Sequence, residues 1–326
     1  IDSHRFRLNL PASERDTVGL NLTYETMSGA SPWYVLPDAQ GKPVQVMSGA
    51  SIREERLALQ GDWRHELSRL NSLRLSAGYS DEDDYQSLQA GLEAAWASAS
   101  QMQVFTLGAG YSADTVEPTD GGSVTYPTRI VEADKDTITA FASLEQVLGP
   151  RTRLQVAFSG LWQGGFLSDP YKLAYVAATT STLADSRPDT RQGGAVSLML
   201  RHSLGLPGLA AQADYRYYQD DWDIQAHSLA LGLLRSQGNW QWAATLRWYS
   251  QSQAGFYAPF YTTARSDGLA SSDYRLSPFG ALSVGVDVKR LIGPWTLGAG
   301  LGWYEASEDY ALEQVEVANP GLVSWL

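Results

Sequence analysis

The chain contains no cysteine and only four histidines in 326 residues. Without cysteine it has no disulfides, cysteine-ligated zinc, iron–sulfur clusters or covalently attached c-type haem. No pattern indicates another resident cofactor, so we expect none. The net charge of −12 lacks the basic excess that nucleic-acid binding requires, so we expect no nucleic-acid partner.

Long apolar runs are also missing. No run reaches about 18 apolar residues, which excludes a transmembrane helix on hydropathy. Phenylalanine is scarce among the aromatic residues, with 8 Phe against 11 Trp and 17 Tyr. Tryptophan and tyrosine dominate where a ring has one dry side and one wet end, as at a membrane interface.

Residues 238–251 show the clearest strand pattern in the chain. An apolar set alternates with polar side chains such as Arg247, and it comprises Trp240, Trp242, Ala244, Leu246 and Trp248. This period of two predicts a strand with one apolar and one polar face. A tilted strand of roughly 10 residues crosses a bilayer, with aromatic rings at both boundaries.

The same alternation recurs along the chain, and the connections between strands fall into two classes. Short turns are expected at residues 11–16, 66–71, 98–101, 148–151, 205–208, 236–239 and 291–294. The other connections are the acidic turns at 81–84 and 220–223 and the long loops 28–50, 113–134, 164–193 and 253–277. A soluble β-sandwich or propeller would not sort its connections in this way.

We therefore predict an all-β fold, a transmembrane antiparallel up-and-down β-barrel of about 14 strands. Residues 1–326 form one barrel domain in the bacterial outer membrane, with the long loops extracellular. Because single-chain bacterial barrels have an even strand number and both termini inside, we expect one further strand at each end, about 16 in the intact protein.

The strand parity assigns side chains to the lumen or to lipid. Charges of both signs are expected to face the lumen, namely Arg56, Arg74, Glu93, Arg201, Asp214, Arg216, Arg247 and Asp287. The aromatic residues expected to face lipid are Trp63, Trp96, Trp162, Trp240, Trp242, Trp248, Trp295 and Trp303. Mixed wall charges favour a lumen braced by ion pairs over a strongly ion-selective pore.

Two acidic turns are weak candidates for a divalent-cation site, because Ca²⁺ and Mg²⁺ prefer oxygen ligands. The aspartates of these turns are the candidate ligands, namely Asp81, Asp83, Asp84, Asp220, Asp221 and Asp223, and Glu82 lies beside them in the first turn. Solvated acidic turns are the simpler interpretation. At an outer surface such ions would also bridge lipopolysaccharide phosphates, so lipopolysaccharide and the bilayer are the expected partners.

Several segments carry a family resemblance: 27–33 (MSGASPW), 47–55 (MSGASIREE), 80–85 (SDEDDY), 169–172 (DPYK), 187–191 (RPDTR), 214–228 (DYRYYQDDWDIQAHS) and 249–257 (YSQSQAGFY). They resemble a family of proteobacterial outer-membrane β-barrels catalogued as a domain of unknown function. The resemblance implies a barrel associated with a small lipoprotein and with envelope redox or flavin-attachment proteins. It implies no reaction and no catalytic residues.

Three functions remain open from the sequence. The first is a pore or export channel, in which the loop at 164–193 is long enough to form a constriction. The second is a sheath that holds a partner such as a redox lipoprotein or electron carrier. The third is a lipid enzyme at the rim, for which His227 beside Ser228 is the single candidate. We expect no enzymatic activity and no catalytic residues.

Overall fold

The computed structural model describes residues 2–29, 31–48 and 53–313, which form eighteen strands. In chain order these are β1 (Asp2–Pro11), β2 (Asp16–Ser28), β3 (Pro32–Pro37), β4 (Pro43–Met47), β5 (Arg53–Glu66), β6 (Asn71–Glu82), β7 (Tyr85–Ala97), β8 (Gln103–Val116), β9 (Ala133–Gly149), β10 (Thr152–Gly165), β11 (Leu173–Val176), β12 (Ser181–Ala184), β13 (Thr190–Ser203), β14 (Leu209–Asp220), β15 (Gln225–Gln237), β16 (Trp240–Gln251), β17 (Phe279–Ile292) and β18 (Trp295–Ser307).

Fourteen of these strands form one antiparallel sheet whose order follows the chain from β1 to β18. The two short pairs, β3–β4 and β11–β12, form separate hairpins. The predicted all-β, up-and-down arrangement with about 14 strands is therefore confirmed. The further strands expected beyond each end remain a prediction.

Cross-strand partners lie on the same side of a sheet, so each face can be followed from strand to strand. Trp242 and Leu246 lie opposite Val288 and Val284, on what we call the apolar face. Arg247 lies on the other, polar face, opposite Ser283. Large apolar side chains are exposed over most of the apolar face, whereas the buried strand residues belong mainly to the polar face. A contiguous exposed apolar surface of this extent is typical of contact with lipid and not with water.

All four long connections lie at one end of the sheet together with the two acidic turns, and the other end carries short turns, as predicted. At the short-turn end the connections comprise residues 12–15, 67–70, 98–102, 150–151, 204–208, 238–239 and 293–294. Gly238 and Gly293 both have a φ of 58° there, a left-handed conformation that glycine adopts without strain. At the long-loop end their described parts comprise residues 29, 31–48, 83–84, 117–132, 166–189, 221–224 and 252–278.

The long-loop end is more ordered than the sequence indicated. Residues 28–50 and 164–193 were expected to be loops, but they contain the β3–β4 and β11–β12 hairpins. The described helices are two single turns of 3-10 helix, Tyr274–Leu276 and Glu308–Tyr310. Neither has the length and apolar character to cross a membrane. Both buried apolar clusters among the described residues belong mainly to the connections at the long-loop end.

Candidate functional site

The polar face carries every charged residue that the sequence assigned to the lumen. The strand register places all of the following residues on this one face of the sheet: Arg56, Arg74, Glu93, Arg201, Asp214, Arg216, Arg247 and Asp287. Arg56 lies 3.4 Å from both Glu25 and Glu82, and Arg74 lies 3.2 Å from Asp62. These pairs join neighbouring strands, so opposite charges brace the wall. Each pair is part-exposed and contributes little stability alone.

The apolar face carries the eight tryptophans assigned to lipid. They are Trp63, Trp96, Trp162, Trp240, Trp242, Trp248, Trp295 and Trp303. Trp240 and Trp242 stack near the short-turn end with ring centroids 5.8 Å apart, and Arg290 lies 5.0 Å above the Trp240 ring. Their contact with lipid remains a prediction, and the arrangement matches an aromatic belt.

One connection reaches all the others at the long-loop end. We call residues 166–189 the central loop and the whole set of long-end connections the loop layer. The hydroxyl of Tyr171 donates to Asp84 at 2.5 Å and accepts from the amide of Thr119 at 3.0 Å. The ammonium of Lys172 donates to the carbonyl of Pro32 at 2.9 Å. These contacts join the central loop to three connections in the half of the sheet that begins with β1, namely those that follow β2, β6 and β8.

On the other side, the central loop is held by backbone and apolar contacts. Ser186 and Ala270 exchange two backbone hydrogen bonds of 2.8 and 2.9 Å. Leu167 packs against a buried cluster that contains Trp222 and Phe256. The connections contacted lie between the second and third strands of the sheet at one extreme and between the twelfth and thirteenth at the other. A loop that contacts all of them lies across the end of the curved sheet.

A buried ion network fixes the central loop to residues 252–278. Arg187 donates to Asp185 at 2.6 Å and to Asp273 at 2.9 Å, and both carboxylates are fully buried. Arg275 bridges Asp273 and Asp169 at 2.6 and 2.7 Å. Because every charge in the network has an opposite partner, the network is satisfied despite its burial.

The two buried carboxyl groups respond differently to this environment. Burial raises the pKa of Asp185, and the contacts with Arg187 and Ser271 offset only part of that effect. Burial acts in the same direction on Asp273, but Arg275, Arg187 and Lys172 together outweigh it and hold the Asp273 pKa at about 2. Burial and the Asp84 carboxylate raise the pKa of Tyr171 to about 12, so its hydroxyl remains a donor at neutral pH.

The second acidic turn uses two of its carboxylates in structural contacts, and its cation-binding role remains a prediction. Asp220 is buried, binds Arg191 at 2.6 Å and accepts from the amides of Trp222 and Ile224. Asp221 accepts from a backbone amide at 2.9 Å. These carboxylates already hold the turn and the end of β13, which leaves them poorly suited to an ion.

The first acidic turn, residues 81–84, contributes two residues to a group of three carboxylates that the sequence did not identify as a group. Glu54, Glu82 and Asp84 place carboxylate oxygens within 4.8 Å of one another and could supply oxygen ligands to a divalent cation. Asp81 lies on the apolar face and accepts from Tyr79 at 3.2 Å, and Asp83 is exposed. The three residues of this group are brought together by the β5–β6 pairing, which sequence spacing alone does not reveal.

The single enzymatic candidate does not form a catalytic pair. His227 and Ser228 are adjacent in β15, so their side chains lie on opposite faces. His227 shares a 2.8 Å hydrogen bond with Tyr215 on the apolar face. Ser228 accepts from Arg247 at 3.0 Å on the polar face. This geometry gives no nucleophile–base contact of the kind that covalent catalysis requires.

Comparisons with known proteins give a family and a fold. A family model described as "Protein of unknown function (DUF3570)" matches residues 1–321. The siderophore receptor PirA from Pseudomonas aeruginosa has a TM-score of 0.51 at 10% identity, over 93% of this chain and 52% of the receptor. A mutant of the ferric enterobactin receptor PfeA from the same organism has a TM-score of 0.50 at 12% identity, over 96% of this chain and 54% of the receptor.

These likenesses identify the fold of the outer-membrane β-barrels. The chain spans about half the length of the two receptors. No curated protein matches the chain in sequence.

Proposed function

We propose that this chain, which belongs to the DUF3570 family, is a channel of the outer membrane whose mouth is gated by the loop layer. The polar face lines the lumen, the tryptophans face lipid, and the long loops lie outside the cell. Small polar solutes are the expected cargo, because the wall combines paired charges with uncharged polar residues and glycine. The two receptors similar in fold are named for siderophores, and that property is not transferred to this chain.

The central loop is the observation that carries this proposal. Its contacts extend from Pro32 on one side to Ala270 on the other, and Leu167 packs against the cluster that includes Trp222. A loop in that position blocks the direct path from the long-loop end into the barrel. Passage of a solute therefore requires the loop layer to move.

The loop layer has a strong side and a weak side. Toward residues 252–278, the central loop is held by the ion network and by two buried apolar clusters. Toward residues 31–48, 83–84 and 117–132, the contacts named above are polar, and Arg129 adds a hydrogen bond to the carbonyl of Pro170 at 3.3 Å. A cleft of about 110 Å³ between Trp33, Tyr126 and Phe166 separates the two parts. Opening along this seam breaks hydrogen bonds and leaves both buried apolar clusters intact.

Planar-bilayer conductance tests the gate. The parent chain is compared with a variant in which residues 168–186 are replaced by a short Gly/Ser linker. We expect small, intermittent currents from the parent and large, steady currents from the shortened variant. Equal large currents from both would show that the loop layer is not a gate. No current from either chain, with both folded and inserted, would refute the channel.

The same structure supports a second candidate, the sheath that holds a partner. The observation in its favour is that the loop layer covers the long-loop end, so a partner enters from the short-turn end. A small lipoprotein or redox carrier is the partner that the family resemblance implies, and any haem or flavin would belong to it. Stoichiometric co-purification of such a partner, combined with absence of current from the shortened variant, would favour the sheath.

A further inference from the structure

Two arginines face each other across the β10–β13 pair at the short-turn end. Arg153 is the cross-strand partner of Arg201, and both lie on the polar face near the ends of their strands. The β10–β13 register runs without a break through this pair, so regular antiparallel pairing places the two arginines directly opposite each other. The register shift beside Thr152 belongs to the β9–β10 pair, where Thr152 pairs with Gly149 and Arg153 pairs with Val147.

The positive charge of this arginine pair is only partly compensated. Arg153 lies 3.1 Å from Glu145. Within the part of the chain that the structure describes, no ion pair involves Arg201 or Arg151, which occupies the adjacent turn. Like charges placed directly opposite on neighbouring strands are unfavourable. A bound anion would relieve that repulsion.

The next strand carries a carboxylate, Asp214, that is hydrogen-bonded through one of its two oxygens. Gln212 is the cross-strand partner of Arg201, and two residues further along the strand lies Asp214. The amide of Gln212 donates to one Asp214 oxygen. The other Asp214 oxygen is buried and has no hydrogen-bond partner. Asp214 therefore forms no ion pair with Arg201.

A second arginine pair on the same face provides a contrast. Arg64 and Arg74 are also cross-strand partners near the short-turn end. Arg64 lies 2.9 Å from Glu66, and Arg74 lies 3.2 Å from Asp62. Each of these two arginines has its own carboxylate. Of these two cross-strand arginine pairs, Arg153–Arg201 is therefore the one in which, among the described residues, an arginine has no carboxylate partner.

A cavity opens beside the uncompensated pair. Its volume is about 330 Å³, and its lining includes Arg151, Arg153, Arg201 and Ser203. This volume admits a phosphate group or a small phosphorylated solute. Guanidinium groups bind phosphate and carboxylate oxygens through paired N–H donors, and a serine hydroxyl can add a further donor. The Arg153 side chain is 53% exposed, which favours weak and reversible binding.

We infer that Arg151, Arg153 and Arg201 form a binding site for phosphate-type oxyanions at the short-turn mouth of the lumen. The inference rests on the proposed function only in naming the class of solute that the channel receives there. The guanidinium groups supply the attraction, and the open cavity allows the anion to leave toward the lumen.

Calorimetric titration with inorganic phosphate tests the site. The purified full chain is held in maltoside micelles, because this detergent contains no phosphate. The parent chain should bind phosphate weakly. Arg201→Gln combined with Arg153→Gln should weaken binding by about tenfold, because charge-assisted hydrogen bonds are lost. Arg74→Gln, which removes a compensated wall arginine, is the matched control and should leave phosphate affinity unchanged.

Three outcomes overturn the site. They are no phosphate binding by the parent, equal weakening by Arg74→Gln, and binding of phosphatidylglycerol in place of inorganic phosphate. The last outcome would identify a lipid headgroup as the source of the phosphate.

Because this titration measures no ion current, the proposed phosphate site and the proposed channel can be refuted independently of each other. Phosphate binding by a chain that never conducts would refute the channel and retain the site. Conduction by a chain that does not bind phosphate would refute the site and retain the channel.

Discussion

At the residue scale, the buried ion network predicts which charges stabilise the loop layer. Arg187→Met leaves the Asp185 and Asp273 carboxylates without their shared partner, which should destabilise the layer by about 3 kcal/mol. Hydrogen exchange at the amides of Ala177 and Ser186, which bond to residues 261 and 270, measures the loss.

Arg265→Met is the matched control for this prediction. Arg265 pairs with Asp267 at 2.6 Å, but its side chain is 38% exposed. Its removal should change the protection of the same two amides by less than about 0.5 kcal/mol. Equal effects of the two substitutions would show that the buried network does not hold the layer.

Acid should loosen the loop layer within a defined pH window. The folded pKa of Asp273 is about 2, below its ordinary 3.8, so its stabilising contribution is complete above about pH 4 and is lost as the pH falls toward 2. The raised pKa of Asp185 acts oppositely, because protonation relieves the cost of burying its charge as the pH falls.

Pepsin digestion checks this window. We expect the loop layer to resist cleavage at pH 4 and to be cut as the pH approaches 2. Asp273→Asn should be cut more readily at pH 4 and should show a flatter pH dependence. A parent layer that opens well above pH 4 would contradict the assignment of Asp273 as the controlling group.

At the element scale, the alternation of faces along β16 predicts how much stability an introduced arginine costs at each position of the strand. Leu246→Arg places a charge near the middle of the apolar face and should cost roughly 2–4 kcal/mol, whereas Trp242→Arg, near the short-turn end, should cost about 1 kcal/mol. Thr245→Arg lies on the polar face beside Leu246 and should be nearly neutral. Urea unfolding in lipid vesicles gives the three values, and a costly Thr245→Arg would reverse the assignment of the faces.

The elements also show what the sequence could and could not predict. The long strands follow from local alternation, so the pattern of Trp240 and Arg247 was sufficient for β16. The β11–β12 hairpin has strands of four residues. Its position depends on Tyr261, far along the chain, whose amide donates to the carbonyl of Tyr175 and whose carbonyl accepts from the amide of Ala177. The Asp169–Arg275 pair spans 106 positions. No local period encodes such contacts.

At the scale of the whole molecule, the asymmetry between long loops and short turns predicts the orientation in the membrane. An epitope tag inserted next to Val124, which is fully exposed, should be detected by antibody on intact cells. The same tag between Gly238 and Asn239, in a short turn, should be detected only after the outer membrane is permeabilised. The opposite result would invert the proposed topology.

The central claim is that a polar lumen whose wall carries charges of both signs is closed by the loop layer. Reversal potential and conductance of the parent chain in a planar bilayer under a KCl gradient test it most directly. Opposed charges on the wall cancel much of the field that a permeating ion would experience, despite the net charge of −12. We therefore predict small, fluctuating currents with weak ion selectivity. A large, steady conductance with strong cation preference would contradict the claim.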